Sequence, residues 1–336
     1  MGIFVPLIAV TASSASASTA TGGSYVPVSP TRLIDTRTGS GQTGAGQTLA
    51  ANSTFTVTVP SALIPTGQTI SGVSIVLTEA DATAPGFLTA FPTGSSPATD
   101  SALNFVAGPP GCAVLDCVVS NMVIVGVNGA NQFSITNGSP GSVDIVIDLE
   151  GFILSPSSPS VTTSGAGHFN EITPARLADT RCGDTPPGAG STCSTENIPA
   201  NNNTLKTMSG GSTIKVNTLG DGGVPPSGVS AIIAQLTVTN TTAPGFLTAW
   251  PTGSTQPLAS NVNWVPGQTT SVRAILPVGT GGQISIFENN GSADVAVDVQ
   301  GWISDATQPL NAGTLFVPVS PVRVTDTRTG SGQANA

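Results

Sequence analysis

The chain reads as an all-β protein: two tandem β-sandwich domains of Greek-key or jelly-roll type, followed by the opening strand of a third repeat. Three observations predict this. Short Val- and Ile-rich runs are separated by turn residues along the whole sequence, which holds 40 Gly and 27 Pro in 336 residues. No helical stretch suitable for a crossover connection interrupts these runs, which excludes a parallel α/β arrangement. The sequence also repeats itself at domain-sized intervals, too long for a solenoid.

In chain order, 1–23 is a truncated signal-like leader and 24–154 the first β-sandwich repeat. A Ser/Pro/Gly-rich linker at 155–168 leads to the second repeat at 169–304. A shorter linker at 305–315 precedes 316–336, the start of an incomplete third repeat. In the first repeat, strands are predicted near 25–28, 32–35, 54–59, 72–79, 86–91, 102–106, 121–127, 132–136 and 142–149. Alternation of apolar and polar residues is clearest in Phe55–Val59 and in Val143–Leu149. The run Thr83–Ser95 matches Thr242–Ser254 at every position except Phe91/Trp250, and Ser142–Ile153 aligns with Ser292–Ile303.

The third repeat opens at Phe316–Gln333, which nearly copies Tyr25–Gln42. Either the chain is a fragment of a longer repeat protein, or this last segment completes the sheet of another copy by strand donation.

A six-residue phrase, Arg-x-x-Asp-Thr-Arg, opens each repeat: Arg32, Asp35 and Arg37; Arg176, Asp179 and Arg181; Arg323, Asp326 and Arg328. These copies hold six of the nine cations in the chain. Simple strand alternation puts Arg32 and Ile34 on one face and Leu33 and Asp35 on the other. The last strand offers carboxylates that share a face, Asp144 and Asp148, preserved in the second repeat as Asp294 and Asp298. The expected arrangement is an ion-paired clasp between first and last strands, with the bidentate geometry that only arginine supplies. A polar pocket for a carboxylate or for sugar hydroxyls is the functional counterpart of that arrangement. A glycosidase pair of carboxylates is disfavoured, because nothing identifies a general acid with a reason for a raised pKa.

Composition narrows the partners. Net charge is −9 and charged residues are only 8%, against roughly 25% in ordinary domains. With no basic patch, nucleic acid and anionic membrane surfaces are excluded as partners. No apolar run reaches the roughly 18 residues needed to span a bilayer. The apolar run Ile3–Val10, followed by small residues up to a cut after Ala17, reads as a signal lacking its basic start, hence an extracellular or cell-surface location. The cysteines form two local pairs, Cys112 with Cys117 and Cys182 with Cys193, each in a loop private to its repeat. Neither has zinc or redox spacing, so disulfides are expected, and no metal or cofactor is called for.

The three tryptophans, Trp250, Trp264 and Trp302, all lie in the second repeat and align with Phe91, Phe105 and Phe152. Substitution by Phe at each matched position suits core packing, while an exposed sugar-stacking platform would use the same rings.

These phrases together resemble a domain found in tandem in large exported and cell-surface proteins of high-GC Gram-positive bacteria. The resemblance rests on the opening Pro30–Arg37, the middle Ala84–Thr89 and Asn261–Gln268, and the end Asp294–Trp302, and it covers nearly all of 25–303. It implies an accessory or surface role, and it supplies no catalytic residues. The expected function is therefore that of a non-catalytic structural or adhesive repeat protein, or an accessory module of a larger secreted protein. Its partner would be cell-wall or extracellular polysaccharide, or another copy of itself. A carbohydrate-binding pair is the second reading and a secreted hydrolase the third.

Overall fold

The structure is a computed structural model that describes residues 22–41, 46–97, 101–107, 118–184, 193, 198–310 and 313–316. The leader run Ile3–Val10 and the third motif copy lie outside the described residues. So do Cys112 and Cys117: the disulfide expected between them has no counterpart among the described residues.

The first repeat contributes β1 (Tyr25–Asp35), β2 (Ser40–Gly41), β3 (Thr54–Thr58), β4 (Ile70–Ala80), β5 (Gly86–Pro92), β6 (Leu103–Phe105), β7 (Val119–Gly126), β8 (Gln132–Asn137) and β9 (Asp144–Leu154). The second contributes β10 (Phe169–Asp179), β11 (Met208–Ser209), β12 (Thr213–Asn217), β13 (Val229–Thr239), β14 (Gly245–Pro251), β15 (Val262–Trp264), β16 (Thr270–Pro277), β17 (Gln283–Glu288) and β18 (Ser292–Ser304).

Each repeat is a jelly roll. Its front sheet runs β1-β9-β4-β7 in the first repeat, with β2 added at the edge, and β10-β18-β13-β16 in the second. Its back sheet runs β3-β8-β5-β6 and β12-β17-β14-β15, respectively. Every pairing between these strands is antiparallel. This is the order produced when a long hairpin wraps into two Greek keys. The inward residues of facing sheets form one core per repeat. Val57, Ile75, Leu88, Phe133, Ile147 and Phe152 anchor the first, and Val216, Leu236, Leu247, Ile286, Val297 and Trp302 the second. Each such side chain contributes about 1.5–3 kcal/mol on removal from water.

Two features differ from simple alternation. The segments expected as separate strands at 25–28 and 32–35 are one strand, β1, with irregularities against β9 between Pro27 and Thr31 and between Arg32 and Ile34. The linker at 155–168 is docked on the first repeat. It carries the short helix α1 (Pro159–Thr163), Val161 joins the first core, and Ser158 Oγ donates to Thr69 O at 2.8 Å.

Close approach explains a glycine shared by both closing strands. A Cβ on Gly151 would lie 2.2 Å from the Tyr25 hydroxyl oxygen, and one on Gly301 would lie 2.4 Å from the Phe169 ring. Glycine at this point lets the first aromatic residue of each repeat lie across its last strand.

Candidate functional site

The motif begins on β1 opposite β9. Arg32 pairs with Asp148 in register, but the next pair is Ile34 with Ile147, so Leu33 is the extra residue of a β-bulge. Leu33 and Ile34 both enter the core. The parity therefore flips, and Arg32 and Asp35 come to the same outer face. The alternation expected from sequence, with Arg32 and Asp35 on opposite faces, is corrected by this bulge. The second repeat has the same shift between Arg176 and Ala178.

On that face Arg32 spans two carboxylates. Its Nε and Nη2 donate to Asp148 Oδ1 and Oδ2 at 2.5 and 3.4 Å, and Nη1 donates to Asp35 Oδ2 at 3.0 Å. The chain then turns, and Arg37 folds back onto its own motif. Its Nε and Nη2 donate to Asp35 Oδ1 and Oδ2 at 3.0 and 2.9 Å, while its backbone N–H also donates to Oδ1 at 3.1 Å. Asp35 is thus held by two guanidinium groups and an Asx turn. The second copy repeats this. Arg176 reaches Asp298 at 2.5 Å and Asp179 at 2.9 Å, and Arg181 donates to Asp179 through N, Nε and Nη2.

Asp144 and Asp294, expected as partners of the arginines, accept hydroxyl groups instead. Thr36 Oγ1 donates to Asp144 Oδ1 at 2.7 Å and accepts from the Ile145 N–H at 2.9 Å. Thr180 makes the same two bonds, to Asp294 at 3.0 Å and from Val295 at 2.9 Å. Asp294 also takes Thr207 and Asn240. The buried threonine of Asp-Thr-Arg is therefore a second fastening between first and last strands. Sequence reasoning missed it, although its recurrence between Asp and Arg in every copy was a usable signal.

Electrostatics follow the geometry. Asp35 and Asp179 are held below the usual carboxylate range: burial pushes each up, but Arg37 and Arg181 bring them down further. Asp148 goes the other way, because burial outweighs its bond to Arg32. The two copies sit in different surroundings. The Asp148 side chain is 1% exposed, whereas that of Asp298 is 27% exposed.

The cover over Asp148 is the second repeat. Ser120 on β7 donates to Asn261 O at 2.9 Å and accepts from Asn263 Nδ2 at 3.2 Å. Asn261 Nδ2 donates to Glu150 Oε1 at 2.9 Å. Glu150 is fully buried. Burial and the neighbouring Asp148 charge push its carboxyl up to about 8, which favours the protonated form. Burial and Glu150 together push the Tyr25 phenol up. Beside this polar seam lies a small apolar cluster of Tyr25, Ile153, Ala231, Ile233, Ile275 and Ile303. A groove of about 430 Å³ opens next to the polar seam, with Arg32, Asp35 and Arg37 on one wall and Phe246, Leu258 and Asn263 on the other.

The tryptophans do not form a platform. Trp250, Trp264 and Trp302 are 6%, 1% and 8% exposed. The indole N–H groups of Trp250 and Trp264 donate to Ser254 O and Ala243 O. Trp264 and Trp302 fill space between the sheets, as Phe105 and Phe152 do in the first repeat, whereas Trp250 and Phe91 are buried outside these cores, next to the inward-facing Ala249 and Ala90.

Of the two expected disulfides, the structure describes one. Cys182 and Cys193 are bridged, with Cα atoms 5.4 Å apart, closing a loop that the first repeat lacks. The other pair, Cys112 and Cys117, falls in 108–117, outside the described residues. Among the described residues, no cluster of His, Cys, Asp and Glu is arranged to hold a metal ion, and no helix is long and apolar enough to cross a membrane.

No family model matches the chain, and no curated protein does. Among solved structures it is similar to a protein of the triple jelly-roll fold and turret assembly of an archaeal virus, at 12% identity and a TM-score of 0.20. That likeness covers 77% of this chain and 58% of the viral one, so the chain spans less than two thirds of the viral protein. It is also similar to the tandem CBM22-1–CBM22-2 domains of Paenibacillus barcinonensis Xyn10C, at 11% identity and a TM-score of 0.19, covering 86% and 100%. The major capsid protein P2 of bacteriophage PM2 aligns at 10% identity with a TM-score of 0.20, covering 82% and 97%. These scores do not extend to a shared arrangement of the domains, and strand order alone defines the jelly roll.

Proposed function

We propose that the protein is a non-catalytic structural or adhesive module, exported to the cell surface or outside the cell, whose recurring charged motif serves to build and join its repeats. One observation carries this reading: the charged groups of the motif in both repeats are engaged with each other. Arg32, Arg37, Asp35 and Asp148 neutralise one another, and Arg176, Arg181, Asp179 and Asp298 do the same.

Asp148 and Glu150 superficially meet the needs of acid–base chemistry, with one carboxylate ion-paired and its neighbour biased towards the protonated form. Both are closed off beneath the second repeat, where no substrate reaches them. The Cys182–Cys193 disulfide fits an oxidising compartment. The test is a turnover screen of glycans and esters together with fractionation of the source cells. Absence of turnover and recovery from envelope or medium are expected. Turnover abolished by Asp298→Asn, or recovery from the cytosol, overturns the proposal.

The groove favours a second reading, a carbohydrate-binding pair. Its volume is that of a small-ligand site, it combines guanidinium donors with the Phe246 ring, and Leu258 on its rim is 82% exposed. Because the arginines are already paired with carboxylates, it suits a neutral sugar better than an anion. Polysaccharide pull-down that Leu258→Glu abolishes without lowering the melting temperature would support this reading. Retention by neither the native chain nor the variant removes it.

A further inference from the structure

The first aromatic residues of the three repeats, Tyr25, Phe169 and Phe316, meet at one point. The Phe316 ring centroid lies 5.7 Å from that of Tyr25 and 5.9 Å from that of Phe169. The backbone bonds around them run in a cycle. Tyr25 N donates to Gly167 O at 2.8 Å, and Gly167 lies two residues before Phe169. Phe169 N donates to Thr314 O at 2.7 Å, and Thr314 lies two residues before Phe316. Phe316 N donates to Gly23 O at 2.9 Å, and Gly23 lies two residues before Tyr25. The aromatic residue of each repeat thus bonds to the approach segment of the next, and the third returns to the first. A linear string of domains has no reason to close this loop; a threefold ring requires it.

The side chains around the aromatics follow the same symmetry. Register makes Ile124 equivalent to Ile275 and Met122 equivalent to Arg273, through the pairs Ser74/Ile124, Val76/Met122, Ile233/Ile275 and Gln235/Arg273. These equivalent positions converge on a cavity of about 270 Å³, walled by Met122 and Ile124 of the first repeat, Ile233, Arg273 and Ile275 of the second, and Phe316. Two repeats supply matched walls, and the third wall is represented by Phe316.

The joining surfaces are unevenly used. The outer face of the first repeat's front sheet, around Asp148 and Glu150, lies under β15 and β16 of the second repeat and the segment ahead of β15. On the matching face of the second repeat Arg273 is exposed, and Arg176, Gln235, Asp298 and Gln300 are only half-buried where Asp148 and Glu150 of the first repeat are fully buried. The first repeat's counterpart of the Phe246/Asn263 surface is open: Phe87 is 39% exposed and Asn104 is exposed.

We propose that the two repeats form two thirds of a closed, pseudo-threefold ring, and that these two surfaces are the seat of a third jelly-roll repeat of the same kind, entered at Phe316. Its own counterpart of the Phe246/Asn263 surface would cover the front sheet of the second repeat, and its front sheet would receive Phe87 and Asn104. The seat is more polar than its occupied counterpart: Gln235, Arg273 and Gln300 stand where Val76, Met122 and Glu150 stand in the first repeat. The covering surface of the third repeat is therefore expected to differ from that of the second by carrying polar partners for Arg273. The inference holds whether or not the groove binds sugar.

The test compares the native chain with one extended after Gln333 by residues 43–154, which completes a third repeat in frame because 25–42 and 316–333 nearly coincide. Hydrogen exchange at β13 and β16 and small-angle scattering are the readouts. A compact three-lobed particle, with exchange at β16 slowed at least about tenfold, is expected. A folded third repeat that leaves β16 exchange unchanged and the particle elongated overturns the proposal. Phe316→Ala in the unextended chain decides the matter if the added repeat does not fold. Exchange of the Gly23, Tyr25 and Phe169 amides should then accelerate together. Acceleration at Gly23 alone overturns the ring.

Discussion

Asn261 of the second repeat donates through Nδ2 to Oε1 of Glu150 in the first, 2.9 Å away and shut off from solvent. Burial and Asp148 push the Glu150 carboxyl up to about 8, against about 4.3 in an unfolded chain. The folded state therefore binds a proton that the unfolded state has released between these values. Stability is greatest at the acid end of this window and falls as pH rises towards 8, by at most about 1.4 kcal/mol per pH unit for one group. Glu79, also pushed up to about 8 by burial, adds a slope of the same sign. Thermal melts from pH 5 to 9 should show the loss, and Glu150→Gln should flatten part of it. An unaltered slope in that variant would remove Glu150 from the account.

The same clasp should have different strengths in the two repeats. Asp148→Asn takes the Nε and Nη2 acceptor from Arg32 in a covered site but leaves its bond to Asp35, and is expected to cost about 1–3 kcal/mol. Asp298→Asn acts on a pair that water partly screens and should cost about 1 kcal/mol or less. Denaturant unfolding of both variants measures the difference, and high salt should weaken only the second pair. Equal costs would show that the covering repeat adds nothing to the pair beneath it.

Much of this was legible in the chain. Alternation in Val143–Leu149 gave the inward and outward faces of β9 directly, and the matched runs around Phe91 and Trp250 gave the repeats. The partnership of Arg32 with Asp35 was not legible, because a bulge at Leu33 inverts parity and leaves no composition signal of its own. Thr36 and Thr180 looked like turn residues but are buried fastenings. Glu150 and Asn261 were invisible for another reason: their environment is created by the neighbouring repeat, and no pattern within one repeat reports it.

Acid should undo the clasp from the other side. Asp35 and Asp179 are held below their unfolded range, so the stability they contribute is fully present above about pH 4 and is lost as pH falls through their folded values. Arg37→Lys keeps the charge but loses the paired Nε and Nη2 donors to Asp35. Its acid-unfolding midpoint should move to higher pH by a few tenths of a unit, followed by circular dichroism from about pH 5 to 1.5. No movement would mean that the fork geometry contributes nothing beyond charge.

Trp264 separates packing from sugar stacking. Its ring is 1% exposed, its N–H donates to Ala243 O at 3.0 Å, and Phe105 fills the same place in the first repeat. A core role predicts graded losses: about 1–2 kcal/mol for Trp264→Phe, which removes one hydrogen bond and some volume, and about 3–5 kcal/mol for Trp264→Ala, which opens a cavity. Denaturant unfolding measures both. Acrylamide should quench the native tryptophan emission weakly, and added polysaccharide should leave it unshifted. Strong quenching, or a Trp264→Ala variant as stable as the parent, would return this ring to the surface and revive it as a binding platform.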